Sequence, residues 1–213
     1  MNTKPIPIFP LPDHVLLPHV PTPFRLFEPR YVAMAQALEA QDPDQRWLVI
    51  PKLVDGWQGD YHGNPAFHEV AVVARVLDLR AALGNDFLMI VEGQERCRIQ
   101  EVVSDTPFRQ GLLDAWPDDD EAAALDLSPL LGLAHLLVDQ NSKGAGLLSA
   151  LTDDEPDSRE LLSRLGATFL RDPNLRQHFL ELSGPGPRAD LVRQALLGLL
   201  GAAPKSAGHP SLN

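Results

Sequence analysis

Prolines alternate with large apolar residues at the start of this chain, and this alternation limits what the segment can fold into. From Ile6 to Pro18 the sequence runs Ile-Pro-Ile-Phe-Pro-Leu-Pro-Asp-His-Val-Leu-Leu-Pro. Proline fixes φ and has no amide N–H, so such a segment cannot form a helix or the central strand of a sheet. It predicts edge strands and rigid turns that frame a β domain, with a helical pattern beginning only at Tyr31.

Short apolar runs rich in β-branched residues predict strands in the first half of the chain. The clearest are Trp47–Ile50, the run from Val70 to Leu79, and Phe87–Val91. Runs of this length, bounded by turn residues, suit strands that are buried on both faces. Gly84 and Asn85 separate the last two runs and can adopt the positive φ of a hairpin turn.

Gly93 is expected to break the chain before an alternating segment, which predicts a strand with one solvated face. The inward positions are Cys97, Ile99 and Val103, and the outward positions are Gln94, Arg96, Arg98 and Gln100. The outward arginines predict an ion-paired surface, the alternative being contact with a peptide carboxylate. A further strand is expected from Phe108 to Trp116, and one helix from about Pro29 to Ala40.

The pattern becomes helical after an acidic connector, Pro117-Asp118-Asp119-Asp120-Glu121. Ser128-Pro129 and Asp172-Pro173 each place a capping residue before a proline at the first helical position, and Asp157 or Ser158 can cap another helix. Pro187 is expected to open the last helix. Apolar stripes at helical spacing then predict a bundle of four or five helices. The predicted organisation is α+β: a β domain over 1–117, a helical bundle over 118–203 and a flexible tail over 204–213.

Composition excludes several classes of partner. The formal net charge is −11, with 18 basic and 29 acidic residues, and no basic cluster is present that would release phosphate counterions. We therefore expect no nucleic-acid partner and no membrane partner. No apolar run is long enough to span a bilayer, and the N-terminus lacks the pattern of a signal peptide. The single cysteine, Cys97, fits a reducing compartment, so the expected location is cytoplasmic.

Two further motifs, together with the proline-rich opening, carry a resemblance to a known family. Phe27-Glu28-Pro29-Arg30-Tyr31 comes first, and we interpret Phe27 and Tyr31 as core and Glu28 or Arg30 as pinning the helix to a strand. Val91-Glu92-Gly93-Gln94-Glu95-Arg96-Cys97-Arg98-Ile99 follows. Over about residues 6–116 these elements resemble the substrate-binding domain that precedes the ATPase in Lon proteases. The resemblance implies a six-stranded, PUA-like pseudo-barrel with one helix, followed by helices. Phe67-His68-Glu69 departs from the family's usual Ile-Gly-Thr, a departure that affects the local turn.

The motifs of Lon's motor and protease are missing from this sequence. No Gly-x-x-x-x-Gly-Lys-Ser/Thr phosphate loop occurs. The four lysines are Lys4, Lys52, Lys143 and Lys205, and the Lys205-Ser206 pair near the C-terminus is interpreted as a chance echo of the family's catalytic serine motif. The sequence therefore predicts a free-standing, non-enzymatic relative with no catalytic residue and no cofactor.

Seven scattered histidines do not form a metal motif, because none pair at i, i+4 on a predicted helix. His62 and His68 share a loop with Asp60 and Glu69, but a solvated loop is the favoured interpretation, and no metal is predicted. An alternative function is a small hydrolase or peptidase that uses acidic or histidine residues of this 55–69 loop.

The segment from Asp55 to Phe67 is the predicted contact surface. It holds three aromatic residues, Trp57, Tyr61 and Phe67, together with flanking glycines. Exposed aromatic side chains on loops are common anchors in recognition. Equally, Trp57 and Phe67 can close one end of the barrel.

The function favoured by the resemblance is binding of unfolded or exposed apolar polypeptide segments, through a groove or a sheet edge. Such a module can act as an adaptor in protein quality control that presents misfolded polypeptides to a separate protease or chaperone. A third hypothesis is a structural protein that oligomerises through its helical bundle.

Overall fold

A computed structural model describes residues 2–116, 125–139 and 145–202. The described residues form six strands and six α-helices. The strands are β1 (Asn2–Pro7), β2 (Pro21–Leu26), β3 (Trp47–Ile50), β4 (Val70–Ala81), β5 (Phe87–Val102) and β6 (Gln110–Ala115). The helices are α1 (Pro29–Glu39), α2 (Ser128–Asp139), α3 (Ala145–Thr152), α4 (Ser158–Phe169), α5 (Pro173–Glu181) and α6 (Pro185–Ala202). The N-terminal region is thus predominantly β, and several helices follow it.

All six strands belong to one antiparallel sheet, in which β5 is the central strand. The order is β1-β6-β5-β4-β3, and β2 pairs with β5 outside this path. The first half of β5 pairs with β2, with Phe24 opposite Met89, and the second half pairs with β6, with Ile99 opposite Leu113. The predicted hairpin turn between β4 and β5 is confirmed, because Gly84 and Asn85 both have positive φ.

The segment that follows β1 joins the two ends of this sheet. The amide of Ile8 donates to the carbonyl of Arg109 at 2.8 Å, and the amide of Phe9 donates to the carbonyl of Val49 in β3, also at 2.8 Å. The pairing continues when Leu11 N–H donates to the carbonyl of Pro51 at 2.9 Å. The proline-punctuated opening is therefore extended edge structure, as its sequence predicts.

Helix α1 is confirmed at the predicted position. Pro29 occupies its first turn, where a missing N–H costs nothing. Tyr31, Met34 and Leu38 are buried along one face. Phe27, which we interpreted as core, is instead 65% exposed, because it lies in the bend between β2 and α1.

The predicted break at Gly93 is wrong, since β5 continues through it from Phe87 to Val102. The pairing with β4 shifts register at this point, between Val73 and Ala74. A Cβ at position 93 would lie 2.3 Å from the carbonyl oxygen of Leu17. The glycine is therefore needed for close approach of a neighbouring chain segment rather than for a break.

The capping signals at Asp157 and Asp172 are also confirmed, whereas Ser128 is the first residue of α2. The Asp157 side chain accepts a hydrogen bond from Glu160 N–H at 2.9 Å, and the Asp172 side chain accepts one from Asn174 N–H at 2.8 Å. The last helix begins at Pro185 rather than at Pro187, two residues earlier than predicted.

The helices and the sheet share one large hydrophobic core. Leu17, after β1, and Phe179, on α5, are both fully buried and approach Gly166 on α4. A Cβ on Gly166 would lie 3.2 Å from atoms of both side chains, so the glycine permits this close packing. A smaller cluster fills the space between the strands and contains Ile6, Ile8, Val49, Ala71, Cys97 and Ile99.

The solvated outer face predicted for Arg96 is wrong, because Arg96 is only 4% exposed. Its Nη1 donates to the carbonyls of Leu180, in the last turn of α5, and Leu182, just after it, at 2.7 and 2.9 Å. Arg98, two residues along, remains exposed, and its guanidinium lies 3.9 Å above the ring of Trp116. The helical region therefore covers one of the two arginines and not the other.

The acidic connector at 117–121 and the tail at 204–213 lie outside the described residues. The division into a β domain over 1–117 and a helical unit over 118–203 stays a prediction. Among the described residues, no helix combines the length and apolar character needed to cross a membrane.

Candidate functional site

The loop after β3 is anchored by a buried lysine. Lys52 is 2% exposed, and its Nζ donates to Asp55 Oδ1 at 3.0 Å. This hydrogen bond holds the pKa of the Asp55 carboxyl below its usual value. Asn174, from α5, donates to the other Asp55 oxygen at 3.4 Å, which ties the start of the loop to the helical region.

A clasp holds the middle of this loop against the start of α1. The Tyr61 hydroxyl donates to Glu28 Oε1, and Nη2 of Arg30 donates to the Tyr61 carbonyl at 3.3 Å. Glu28 and Arg30 also form an ion pair at 3.0 Å. Burial and the Glu28 carboxylate together raise the pKa of Tyr61. Glu28 and Arg30 therefore pin α1 to the loop, and not to a strand as we expected.

The three aromatic residues predicted as contacts lie at different depths. Trp57 is half-buried in a single 3-10 turn, Trp57–Asp60, and its ring contacts that of Tyr61 with centroids 5.3 Å apart. Phe67 is also half-buried and packs against the smaller cluster between the strands. Trp57 and Tyr61 thus lie together, and Phe67 lies separately against the smaller cluster.

Arg109 covers Phe67 and links the loop to the start of β6. Its guanidinium lies 4.4 Å from the centre of the Phe67 ring. Nε and Nη2 each donate to Glu101 at 2.6 Å, and Nη1 donates to the carbonyl of Pro65 at 2.7 Å. A two-point contact of this kind fixes the plane of the guanidinium.

A groove lies beside this loop and consists of two adjoining cavities. The larger has a volume of about 560 Å³ and is lined by the turn between β5 and β6, from Glu101 to Arg109, together with Asn64. The smaller has a volume of about 260 Å³ and adds Ile8, Pro10, Arg30, Tyr31, His62 and Gly63. Both cavities share Asn64, Pro107, Phe108 and Arg109. We call these two cavities together the loop groove.

The smaller cavity combines an apolar floor with a cationic rim. Ile8, Tyr31 and Phe108 are at most 6% exposed and form its floor. Arg30 and Arg109 lie at its rim, and no carboxylate is among the described residues that line it. Burial raises the pKa of the Tyr31 hydroxyl, and both arginine charges oppose that rise. The Glu28 carboxylate adds to the rise, so the effect of the two guanidiniums on the Tyr31 hydroxyl is partly offset.

The predicted residues and the lining residues overlap only in part. Trp57, Tyr61 and Phe67 do not line either cavity, whereas their neighbours His62, Gly63 and Asn64 do. Sequence reasoning missed Phe108 and Arg109, which we placed in a strand. A Pro-Phe-Arg sequence at a strand entry was the available signal, but it does not reveal what lies across from it.

A third cavity, of about 590 Å³, lies between the start of β2 and helices α3 and α4. Its rim carries Glu92, Asp153, Asp154 and Glu160, with Arg164 paired to Glu160 at 2.6 Å. Within the described part of the chain, no group of three or more histidine, cysteine or acidic side chains is placed to hold a metal ion. His68 instead contacts Glu181 on α5, with Nδ1 to Oε1 at 3.1 Å.

Comparison with known proteins identifies the family. The sequence profile described as the ATP-dependent protease La (LON) substrate-binding domain matches residues 5–197. A Lon protease of Solibacter usitatus (strain Ellin6076) is 24% identical over 202 residues, a match that covers 92% of this chain and 24% of that protein. The chain thus spans about a quarter of the length of this relative.

Two solved structures share the fold. The N-terminal domain of the Mycobacterium avium complex Lon protease superposes with a TM-score of 0.65 at 20% identity, over 91% of this chain and 98% of that one. A Lon N-terminal domain protein from Xanthomonas campestris gives a TM-score of 0.60 at 20% identity, over 94% and 99% of the two chains. The architecture, the motifs around Tyr31 and Gly93, and the match across 5–197 agree, and the chain belongs to the Lon substrate-binding domain family.

Proposed function

We propose that this protein is a non-enzymatic, polypeptide-binding module that recognises unfolded or exposed apolar segments in the loop groove. The observation that carries the proposal is its membership, over residues 5–197, of a family described by substrate binding. The loop groove supports the location, because it is concave, has an apolar floor, and carries a few fixed polar groups at its rim. Sites that combine these properties are typical of ligand recognition.

The arrangement suits an extended segment. The larger cavity runs along the turn from Val102 to Arg109, and the smaller one continues it down to the floor formed by Ile8 and Tyr31. Val103 is fully exposed at the outer edge, and Phe108 is buried at the junction of the cavities. A bound polypeptide would place apolar side chains against these surfaces, which favours broad specificity over recognition of one sequence.

The edge at β2 is less suited to binding by strand addition. A peptide that extends a sheet needs main-chain donors and acceptors along the edge. Pro21 and Pro23 have no N–H to offer, and prolines on edge strands are a common means of preventing such pairing. Of the two modes expected from the sequence, the groove is therefore the one we propose.

Trp57, Tyr61 and Phe67 act in this proposal through the loop that forms one wall. Trp57 packs on Tyr61, whose carbonyl accepts from Arg30, and Phe67 supports Arg109. The aromatic side chains hold His62 to Asn64 against the groove, and exposed parts of Trp57 offer additional contact. We propose further that the strands form a PUA-like pseudo-barrel and that the helices over 118–203 form a bundle that packs against it.

The test is binding of a permanently unfolded model protein to the Trp57→Ala variant. Removal of an aromatic anchor typically weakens binding by about tenfold or more, and we expect that loss here with the circular dichroism spectrum unchanged. The control is Leu83→Ala, because Leu83 is a large apolar residue that is 95% exposed on the distant β4–β5 turn. Equal affinities for the wild type, Trp57→Ala and Leu83→Ala proteins would refute this loop as part of the site.

The same proposal includes a cytoplasmic adaptor role in protein quality control, with a separate protease or chaperone as the partner. An acidic chain of net charge −11 without a basic cluster agrees with polypeptide partners rather than nucleic acid. Delivery of a bound, unfolded protein to a purified host protease, measured as a faster rate of its degradation, tests the adaptor role.

A further inference from the structure

We propose that the smaller cavity of the loop groove binds the C-terminal carboxylate of a polypeptide, with Arg30 and Arg109 as its hydrogen-bond donors. The inference rests on the proposed function and names the part of the polypeptide that this site selects. The chain carries 29 acidic residues against 18 basic ones, yet two arginines and no described carboxylate line this cavity. The charged side chains that line the smaller cavity are therefore cationic, and the carboxylates paired with them, Glu28 and Glu101, lie outside its lining.

Both guanidiniums are held in place and retain donors. Arg109 uses Nε, Nη1 and Nη2 once each toward Glu101 and Pro65, which occupies three of its five N–H groups. Arg30 uses Nε and Nη2 toward Glu28 and Tyr61, which leaves Nη1 outside these contacts. Glu101 and Glu28 orient the arginines from outside the cavity lining, so little rotational freedom is lost when a carboxylate binds.

The size and floor of the cavity fit the last residue of a chain. A volume of about 260 Å³ is roughly that of nine water molecules, which suits one large residue and not a folded segment. The floor of Ile8, Tyr31 and Phe108 is apolar, so the terminal side chain would lie there with its carboxylate at the arginine rim. Residues 64 and 107–109 continue into the larger cavity, which provides a path for the preceding residues.

The experiment compares two fluorescein-labelled decapeptides of identical apolar sequence ending in leucine, one with a free C-terminus and one amidated. Charge-assisted hydrogen bonds lead us to expect that the free acid binds the wild-type protein about 10- to 100-fold more tightly, by fluorescence anisotropy. Arg30→Gln and Arg109→Gln should each bring this ratio close to one, because they weaken binding of the free acid more than binding of the amidated peptide. Arg25→Gln is the matched control, because Arg25 pairs with Asp86 outside the groove and should leave the ratio intact.

Equal binding of both peptides to the wild-type protein overturns the carboxylate site while leaving polypeptide binding in place. Binding of neither peptide, nor of the unfolded model protein, overturns the proposed function itself. The comparison of peptides on the wild-type chain needs no variant, so it stands even if an arginine variant fails to fold.

Two further binding measurements identify the source of the carboxylate. An amidated peptide ending in glutamate should bind like the amidated leucine peptide, and tight binding of it would assign the site to side-chain carboxylates instead. N-acetyl-leucine should compete with the free-acid peptide, whereas inorganic phosphate at the same concentration should not. Competition by phosphate as strong as that by N-acetyl-leucine would mean a general anion site and overturn the proposal.

Discussion

Arginines have different surroundings in two regions of this molecule. Beneath α5, Arg96 is buried and donates to the main-chain carbonyls of Leu180 and Leu182. At the loop groove, Arg30 and Arg109 also donate to main-chain carbonyls, but each is paired with a carboxylate and borders an open cavity. In the first region protein atoms surround the arginine, whereas in the second the arginines border open space.

In our proposal, the covered region contributes to stability and the open region to recognition. The covered region is closed by close packing, such as that of Phe179 and Leu17 on Gly166. The groove region is held by hydrogen bonds and ring contacts of a loop, and a cavity lies above its apolar floor. Surfaces of the second kind are where a fold can take a partner without disturbing its core.

The reactivity of Cys97 should show the largest effect, and it tests the division between the covered region and the open groove. It belongs to the same cluster as Ile8, and Ile8 lines the smaller cavity. Burial raises the pKa of the Cys97 thiol to about 12. At pH 8 only about one thiol in 10⁴ would then be ionised, against about one in four in an unfolded chain of ordinary thiol pKa.

We therefore expect alkylation of Cys97 by iodoacetamide to be about a thousandfold slower in the native protein than in denaturant. The unfolded chain is its own control, because it carries the same single cysteine. Rapid, complete labelling of the native protein would mean that the groove opens into the space between the strands, and the proposed division would fail.

Arg96→Ala should have the next largest effect. The substitution leaves the buried Leu180 carbonyl and the partly buried Leu182 carbonyl without these donors, at a cost of about 1–3 kcal/mol each. We expect the free energy of unfolding, measured in urea, to fall by about 3 kcal/mol.

Arg98→Ala is the matched control for this change, since Arg98 lies two residues along the same strand but is exposed above Trp116. Loss of an exposed cation–π contact should reduce the free energy of unfolding by only about 0.5 kcal/mol. Similar losses for the two variants would contradict the assignment of Arg96 to a buried interface.

The elements of the fold that local signals define could be predicted from the sequence. The limits of β3, the start of α1 at Pro29 and the caps at Asp157 and Asp172 follow from residues within a few positions of each other. The family resemblance also came from short motifs, and the match over 5–197 confirms it.

Features that depend on distant segments could not be predicted in this way. Arg96 alternates with Cys97 along the strand, a pattern that indicates a solvated face. The carbonyl that accepts from it belongs to Leu180, 84 residues away. Gly93 looked like a break because nothing nearby reveals the approach of Leu17. For the groove, the loop at 55–67 was predicted, whereas Phe108 and Arg109 on the opposite wall become part of it only through folding.

Tyr61→Phe tests the clasp between the loop and α1 in the groove region, and it should have the smallest effect. The substitution keeps the ring against Trp57 and removes only the hydroxyl that donates to Glu28. We expect a loss of about 1 kcal/mol in the free energy of unfolding, the usual net value of one partly buried hydrogen bond. A double-mutant cycle with Glu28→Gln isolates the pair, and a coupling energy of about 0.5–1.5 kcal/mol is expected from it. A coupling energy of zero would show that the loop stays on α1 without this contact, so that the bond from Arg30 to the Tyr61 carbonyl holds this part of the loop.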